Sequence, residues 1–382
     1  MRILIAHNTY QHRGGEDSVV ESEIALLRSH GHEVETYFRS NNAISDLSSA
    51  SVARQTLWSS RTTHELIELI RAFKPDIIHV HNTFPLISPS IYWAAASSGV
   101  PVVQTLHNFR LMCLSALYLR DGKVCEECVG HLPWRGVMRK CYRGSSAASA
   151  VLAGMLTLHR CLGTYRNKVS CYIALNDFCR NKFIEGGLPA DRIVVKPNFV
   201  DAPVPKDLPR RGLLFVGRLA EEKGVETLAN AAVLLPDAQL RVAGDGPEAA
   251  HLDGVRGVTR LGHLSEKELL FEMNIAVAVV VPSIWYETFG MVVIEAFASG
   301  TPVIASRIGA LAELVSEGET GLLFEPGNAL DLADKMTWAL AHPGQMADMG
   351  SRARAKYEAE FTAERNYAQL MAIYESSIQA NL

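Results

Sequence analysis

The run from Ile275 to Ser306 limits most what this chain can fold into. Ile275 to Val281 is a solid apolar run, rich in Val and of the length of a strand buried on both faces. A turn-rich segment carrying Glu287 follows, then Gly290 and the helix-forming stretch Met291 to Ala298. Gly300 and Pro302 stop that helix, and Val303 to Ala305 begins another strand. Such a loop aims the backbone N–H groups of Phe289, Gly290 and Met291 along the helix axis. Unpaired N–H groups and the helix dipole together make an anion site suited to phosphate. Glu287 in the loop and Glu295 in the helix flank it, and a phosphate cradle between two hydroxyl-binding carboxylates fits a sugar nucleotide. Two glutamates at arbitrary spacing are more often a surface residue and a packed one, so the rest of the pattern has to carry the reading.

Strand and helix alternate along most of the 382 residues, a length that suits two or three domains. The strand Ile3 to Ala6 leads through a polar loop to a helix from about Val19 to His30. His32 to Phe38, Ile77 to His81 and Pro101 to Leu106 read as further strands, with helices at His64 to Phe73 and Ile91 to Ser98. This order implies βαβ units and parallel sheets, with ligands outside the carboxyl ends of the strands. His7, His81 and His107 all fall at such ends. Gly14 and Gly15 precede the first helix, where adjacent glycines either make a flexible loop or let the backbone approach a ligand closely.

Residues 201–211, with Pro203, Pro205 and Pro209 and mixed charge, read as a linker. The alternation then restarts at Leu213 to Val216, which runs into Gly217-Arg218-Leu219-Ala220-Glu221-Glu222-Lys223-Gly224. Two cations around a glycine-flanked turn can hold a diphosphate and stabilise the charge that grows on it. Gly244-Asp245-Gly246-Pro247-Glu248-Ala249 matches the dinucleotide fingerprint G-x-G-x-x-A. However, Pro247 is unusual there and the expected acid about 20 residues further on is missing.

Taken together, Glu287, Phe289-Gly290, Glu295 and Gly300-Thr301-Pro302-Val303-Ile304-Ala305 resemble the signature of the retaining glycosyltransferases of family 4. Gly217-Arg218-Leu219 with Glu222-Lys223-Gly224 is similar to that family's diphosphate motif. The resemblance spans nearly the whole chain and is most specific over residues 213–306. It implies the α/β GT-B fold: two Rossmann-like domains facing each other across a cleft, with a C-terminal helix crossing back to the N-terminal domain. The expected division is 1–200 for an acceptor-binding domain, 201–211 for the linker, 212–360 for the sugar-nucleotide domain and 361–382 for the crossover helix.

The resemblance also assigns roles. His107 lies beside the transferred sugar, Arg218 and Lys223 take the leaving diphosphate, and Glu287 holds hydroxyls of the donor sugar. Glu295 holds the ribose, Phe289, Gly290 and Met291 meet the phosphates, and Gly15 and Gly246 lie in donor-facing loops. The partners implied are a nucleoside diphosphate sugar and a saccharide or lipid-linked saccharide acceptor, with retention at the anomeric carbon. No Asp-x-Asp occurs anywhere, so the cationic pair is expected to replace a catalytic metal.

Residues 111–144 interrupt the alternation. Cys113, Cys125, Cys128 and Cys141 are spaced C-x11-C-x2-C-x12-C around an Asp121-Gly122 hairpin turn. In a reducing compartment this spacing suggests a structural zinc site, or else reduced small hydrophobes. Residues 110–170 hold ten Lys/Arg and three Asp/Glu, a bias hidden within a chain whose net charge is −4. The apolar stretch 147–158 inside it fits either a buried helix or a helix lying on an anionic bilayer. The overall charge gives no case for nucleic-acid binding. The N-terminus reads as a buried strand and not a leader, which suggests a cytoplasmic location, at the inner membrane face if the bilayer reading holds. Two alternatives stay open: a nicotinamide-dependent oxidoreductase built on Gly244 to Ala249, and a non-catalytic, zinc-stabilised binding scaffold.

Overall fold

Buried apolar runs form the inner strands of the two main sheets, while edge strands such as Glu33–Ser40 and Val258–Gly262 are more polar and more exposed. In chain order the strands are β1 (Arg2–Thr9), β2 (Glu33–Ser40), β3 (Ile77–Val80) and β4 (Val102–Thr105). A small hairpin, β5 (Leu119–Arg120) and β6 (Lys123–Val124), precedes β7 (Cys171–Ala174) and β8 (Ile193–Val195). The second half contributes β9 (Leu213–Val216), β10 (Leu240–Ala243), β11 (Val258–Gly262), β12 (Ala278–Val281), β13 (Val303–Ser306) and β14 (Gly321–Phe324). The structure, a computed structural model, describes all residues except His12, Arg13, Asp207 and Leu382. Those four fall in the first loop, the expected linker and the end of the expected last helix, and lie outside the described residues.

The chain divides into two compact units. One comprises Met1–Leu117, Glu126–Pro197 and Asn366–Leu382; the other comprises Tyr118–Cys125 and Asn198–Arg365. The first sheet has the order β2-β1-β3-β4-β7-β8 and the second β11-β10-β9-β12-β13-β14, both parallel throughout. The second order is the doubly wound pattern in which the first and fourth strands lie side by side. Ligands bind outside the carboxyl ends of strands at that reversal. In the first sheet the equivalent point lies between β1 and β3.

Each unit has its own core. In the second, Leu213, Phe215, Val225, Leu228, Val242, Ile304, Phe324 and Met336 pack between sheet and helices. In the first, Ile3, Ile5, Val20, Ile24, Leu27, Ile77, Val103 and Ile173 do so, joined by Leu370 and Tyr374 of the last helix, Ala363–Gln379. The face expected for that helix, Tyr367, Leu370, Met371 and Tyr374, all belongs to this one core.

Two boundaries differ from the sequence reading. The Asp121-Gly122 hairpin belongs with the second unit, because Tyr118 is fully buried there with its ring 6.1 Å from Tyr286. The second unit also begins at Asn198, and the end of the proline-rich segment is tied to it. Arg210 donates to the carbonyls of Ala276 at 2.9 Å and Gly300 at 2.7 Å, and to Thr301 Oγ1 at 2.6 Å. Among the described residues no helix is long and apolar enough to cross a membrane.

Candidate functional site

β9 and β12 are neighbours and parallel, so the loops after both leave the second sheet at the same edge. Glycine locks them together. Gly224 has φ 70°, and a Cβ on it would fall 1.8 Å from the Pro282 carbonyl oxygen. Beside it the Ile284 N–H donates to the Glu222 carbonyl at 3.1 Å. The result is a fixed ion pair: Lys223 Nζ donates to Glu287 Oε1 at 2.6 Å, and Ser283 Oγ donates to the same oxygen at 2.8 Å. The Lys223 ammonium also lies 5.5 Å from the Trp285 ring centroid. Burial pushes the Glu287 carboxyl up. The charge of Lys223 and the hydrogen bonds outweigh that and hold it below the ordinary carboxylate range. Arg218 is exposed and pairs instead with Glu222, so each cation has its own carboxylate.

The helix Met291–Ala298 follows directly, opened by Gly290 at φ 98°. Phe289 is buried, with its ring edge-on to Phe361 at 6.1 Å, so its side chain anchors the loop and only its main chain is left for a ligand. Glu295 is half-buried on this helix, and burial together with the charge of Glu266 pushes its carboxyl up to about 7. The loop Gly244 to Glu248 closes on Leu219, which donates to the Asp245 carbonyl at 2.9 Å and accepts from the Glu248 N–H at 2.9 Å. A Cβ on Gly246 would lie 2.2 Å from the Leu219 carbonyl oxygen, a packing reason for this glycine. Only a four-residue 3-10 turn, Ala249–Leu252, follows the loop. The dinucleotide fingerprint needs an α-helix there with its N-terminus on the pyrophosphate, so the oxidoreductase alternative loses its support.

In the first unit the histidines at the strand ends form one buried network. His81 Nδ1 and His107 Nε2 share a proton at 2.8 Å, and His79 is held by Tyr374 Oη at 2.7 Å and Thr105 Oγ1 at 2.8 Å. His7 bonds Asp17 at 2.9 Å. Burial lowers all four; His79 falls to about 4 and His107 to about 3, so the cluster is neutral. Glu23 lies 3.6 Å from His81 Nε2 and 3.2 Å from Lys196 Nζ, and both charged groups are almost fully buried. Among the described residues Glu23, His79 and His81 are the group whose ligand atoms come within 4.8 Å of one another. Lys196 balances the carboxylate there without an ion.

Gly15 starts the helix Gly15–Ser29, and a Cβ on it would meet nothing within 4 Å. The loop is joined to the end of β4 by Glu16, which accepts from Tyr10 Oη at 2.8 Å and from Asn108 Nδ2 at 2.7 Å. Asn108 is the residue after His107. Glu16, Glu23, Lys196 and Ser283 escaped the sequence reading, and Glu222 entered it only as a letter of the diphosphate motif. Glu23 was the most findable, since it interrupts the apolar stripe Val19, Val20, Ile24, Leu27 of an otherwise amphipathic helix.

The four cysteines of the expected zinc site, Cys113, Cys125, Cys128 and Cys141, are half-buried. Among the described residues no three of their sulfurs lie within 4.8 Å of one another. Cys141 packs against Leu114, Leu152, Met155 and Leu156.

Comparison with known proteins brings the two halves together. The model for Glycosyltransferase Family 4 matches residues 13–203, and that for Glycosyl transferases group 1 matches residues 199–356. The chain is 30% identical to a D-inositol 3-phosphate glycosyltransferase of Pseudarthrobacter chlorophenolicus over 76% of its own length and 69% of that protein. It is 30% identical to a glycogen synthase of Mycobacterium tuberculosis over 76% of its length, and spans 66% of that relative. Among solved structures, sucrose-phosphate synthase from Thermosynechococcus elongatus superposes with TM-score 0.74 at 20% identity, covering 99% of each chain. Anabaena HepE in complex with UDP superposes with TM-score 0.68 at 18% identity, covering 98% of this chain and 100% of that one. With two parallel six-stranded sheets of GT-B type and family matches across both of them, this chain belongs to glycosyltransferase family 4.

Proposed function

We propose that the protein transfers a sugar from a nucleoside diphosphate sugar to a hydroxyl of a saccharide acceptor, with retention at the anomeric carbon. The observation that carries this reading is the Lys223–Glu287 pair at the strand-order reversal, one residue pair away from the Gly290 helix start. In the reaction the bond from the anomeric carbon to the diphosphate breaks and its electron pair leaves with the phosphate, while the acceptor hydroxyl oxygen bonds the anomeric carbon on the same face and its proton passes to the departing phosphate. Lys223, Arg218 and the main-chain N–H groups of residues 289–291 stabilise that growing charge. Glu287, kept ionised by Lys223, accepts hydrogen bonds from hydroxyls of the donor sugar, and Glu295 accepts from the ribose. His107, neutral and fixed by His81, is assigned to the donor sugar as a hydrogen-bonding group.

The relatives support the donor class: HepE is solved with UDP and with UDP-glucose, and TarM with UDP and a saccharide. A lipid-linked acceptor is supported by an apolar groove of about 530 Å³ in the first unit, lined by Leu47, Val52, Phe84 and Val151. Calorimetry against UDP-, GDP- and ADP-sugars, with NAD as control, tests the reading, followed by NMR of the product's anomeric signal. Binding of one sugar nucleotide and not of NAD supports it; binding of none of them sinks it. A structural zinc on the cysteines rests on their spacing, and metal analysis of the purified protein decides it: about one zinc per chain keeps it, none removes it.

A further inference from the structure

The helix Ser146–Cys161, whose apolar stretch by sequence fits either a buried helix or a bilayer contact, turns most of its large apolar residues inward and leaves Leu158 40% exposed. Leu152, Met155 and Leu156 are buried against Leu114, Leu57 and Val137. The most exposed large apolar residues of this region lie just before it, on and beside the short helix Trp134–Met138. Leu132 is 59% exposed, Trp134 55% and Met138 72%. Trp134 and Met138 stand four residues apart and so share one helix face. The same stretch, residues 130–143, holds Arg135, Arg139, Lys140 and Arg143 and no carboxylate. All four of these cations are exposed.

We propose that this tip of the first unit docks on an anionic lipid bilayer, with Trp134, Met138 and Leu132 entering the headgroup boundary and the cations meeting lipid phosphates. The proposal places the membrane contact of a lipid-linked acceptor on a named surface, and so deepens the acceptor reading above. Charge complementarity selects the occupant. A second copy of the chain would bring four like charges against these four. A bilayer supplies negative charge beside hydrocarbon, the pairing that an exposed Trp flanked by aliphatic residues and cations matches. Glu127, which pairs with Arg139 and lies 3.9 Å from Arg135, is the nearby acid, so Lys140 and Arg143 meet the lipid least opposed.

The test is co-sedimentation of the full chain with phosphatidylcholine vesicles, with and without phosphatidylglycerol, at moderate salt. The intact protein is expected to pellet with the anionic vesicles and to stay in solution with the neutral ones. Removing two cations, in Arg135→Ser with Lys140→Ser, should weaken binding about thirtyfold, at about fivefold per charge. Trp134→Ser with Met138→Ser should weaken it at least tenfold, and brominated lipid should quench fluorescence in the parent but not in Trp134→Phe. Equal binding to neutral vesicles, or variants that bind like the parent, would overturn the proposal. So would self-association without lipid that the same variants abolish. Sugar-nucleotide calorimetry on each variant reports the fold and separates the two readings. Loss of vesicle binding with donor binding intact concerns this surface alone, and absent donor binding in the parent concerns the catalytic reading alone.

Discussion

At the scale of single residues, the arrangement turns on charges that cannot be removed singly without leaving another stranded. Lys223 compensates a Glu287 carboxylate that is 8% exposed. On the proposed mechanism Lys223→Ala deprives the leaving diphosphate of a cation, and it leaves Glu287 buried with the neutral neighbours Ser283 and Trp285. Turnover should fall about 100- to 1000-fold, and stability by about 1–3 kcal/mol. Glu287→Gln keeps the shape and needs no counter-charge, so it should lose activity with a smaller loss of stability; steady-state rates beside thermal melts distinguish the two. Glu295 gives a pH signature. In its proposed role the carboxyl, raised to about 7, accepts from ribose hydroxyls more strongly once ionised, so donor affinity should rise as pH increases from 6 to 8. The same raised value means that its neutral form favours folding at low pH, an advantage lost as pH climbs through about 7. Glu295→Gln should thus flatten the pH dependence of donor binding and melt higher than the parent at pH 8, with little difference at pH 4. Calorimetry and melts at these pH values check both.

At the scale of elements, what was legible in the sequence is what local chemistry dictates. β9 and the helix Met291–Ala298 fall where apolar runs and glycine stops put them, and the Asp121-Gly122 turn has both residues at positive φ, 50° and 69°. The β9 and β12 loops could be placed at strand ends, but not the hydrogen bonds that join them. Those depend on sheet order, which sets Leu213 of β9 beside Ala278 of β12 and which periodicity does not encode. The burial of Glu23 beside Lys196, and the outward face of Trp134, were invisible for the same reason. The apolar 147–158 stretch shows the converse: its composition was read correctly, but the helices packed on it decide which way it faces. Glycines expose the difference between packing and binding. Gly224→Ala must drive a Cβ into the Pro282 carbonyl at positive φ, and should cost about 2 kcal/mol or more with loss of the Lys223–Glu287 pair. Gly15→Ala meets open space, so its melt should match the parent's to within about 0.5–1 kcal/mol of helix propensity change. If the first loop approaches the donor, Gly15→Ala should nevertheless weaken donor binding, and calorimetry on this folded variant reads that directly.

At the scale of the whole molecule, the chain's last segment belongs to its first unit, so the first half of the sequence is not a self-sufficient domain. Leu370 and Tyr374 are fully buried among Ile3, Ile5, Ile24 and Val103, and the Tyr374 hydroxyl bonds His79 in the floor of the histidine network. Burying two such side chains is worth about 1.5–3 kcal/mol each, and the hydrogen bond about 1 kcal/mol more. That is a large share of the roughly 5–15 kcal/mol available to a domain. Deleting residues 366–382 should therefore destabilise the first unit far more than the second, whose core of Leu213, Phe215, Val242 and Phe324 contains nothing from this segment. In calorimetric scans of the truncated chain, the transition of the first unit should move down by tens of degrees or disappear. The transition that a sugar nucleotide or its free nucleoside diphosphate raises should persist, because Arg218, Lys223, Glu287 and Glu295 all lie in the second unit. Transfer to acceptor should be lost while nucleotide binding remains. A single transition lost in one step, taking nucleotide binding with it, would show that the units do not hold their own stability. Tyr374→Phe makes the smaller version of the cut: it leaves His79 with one partner fewer in a buried site, and should lower the first transition alone.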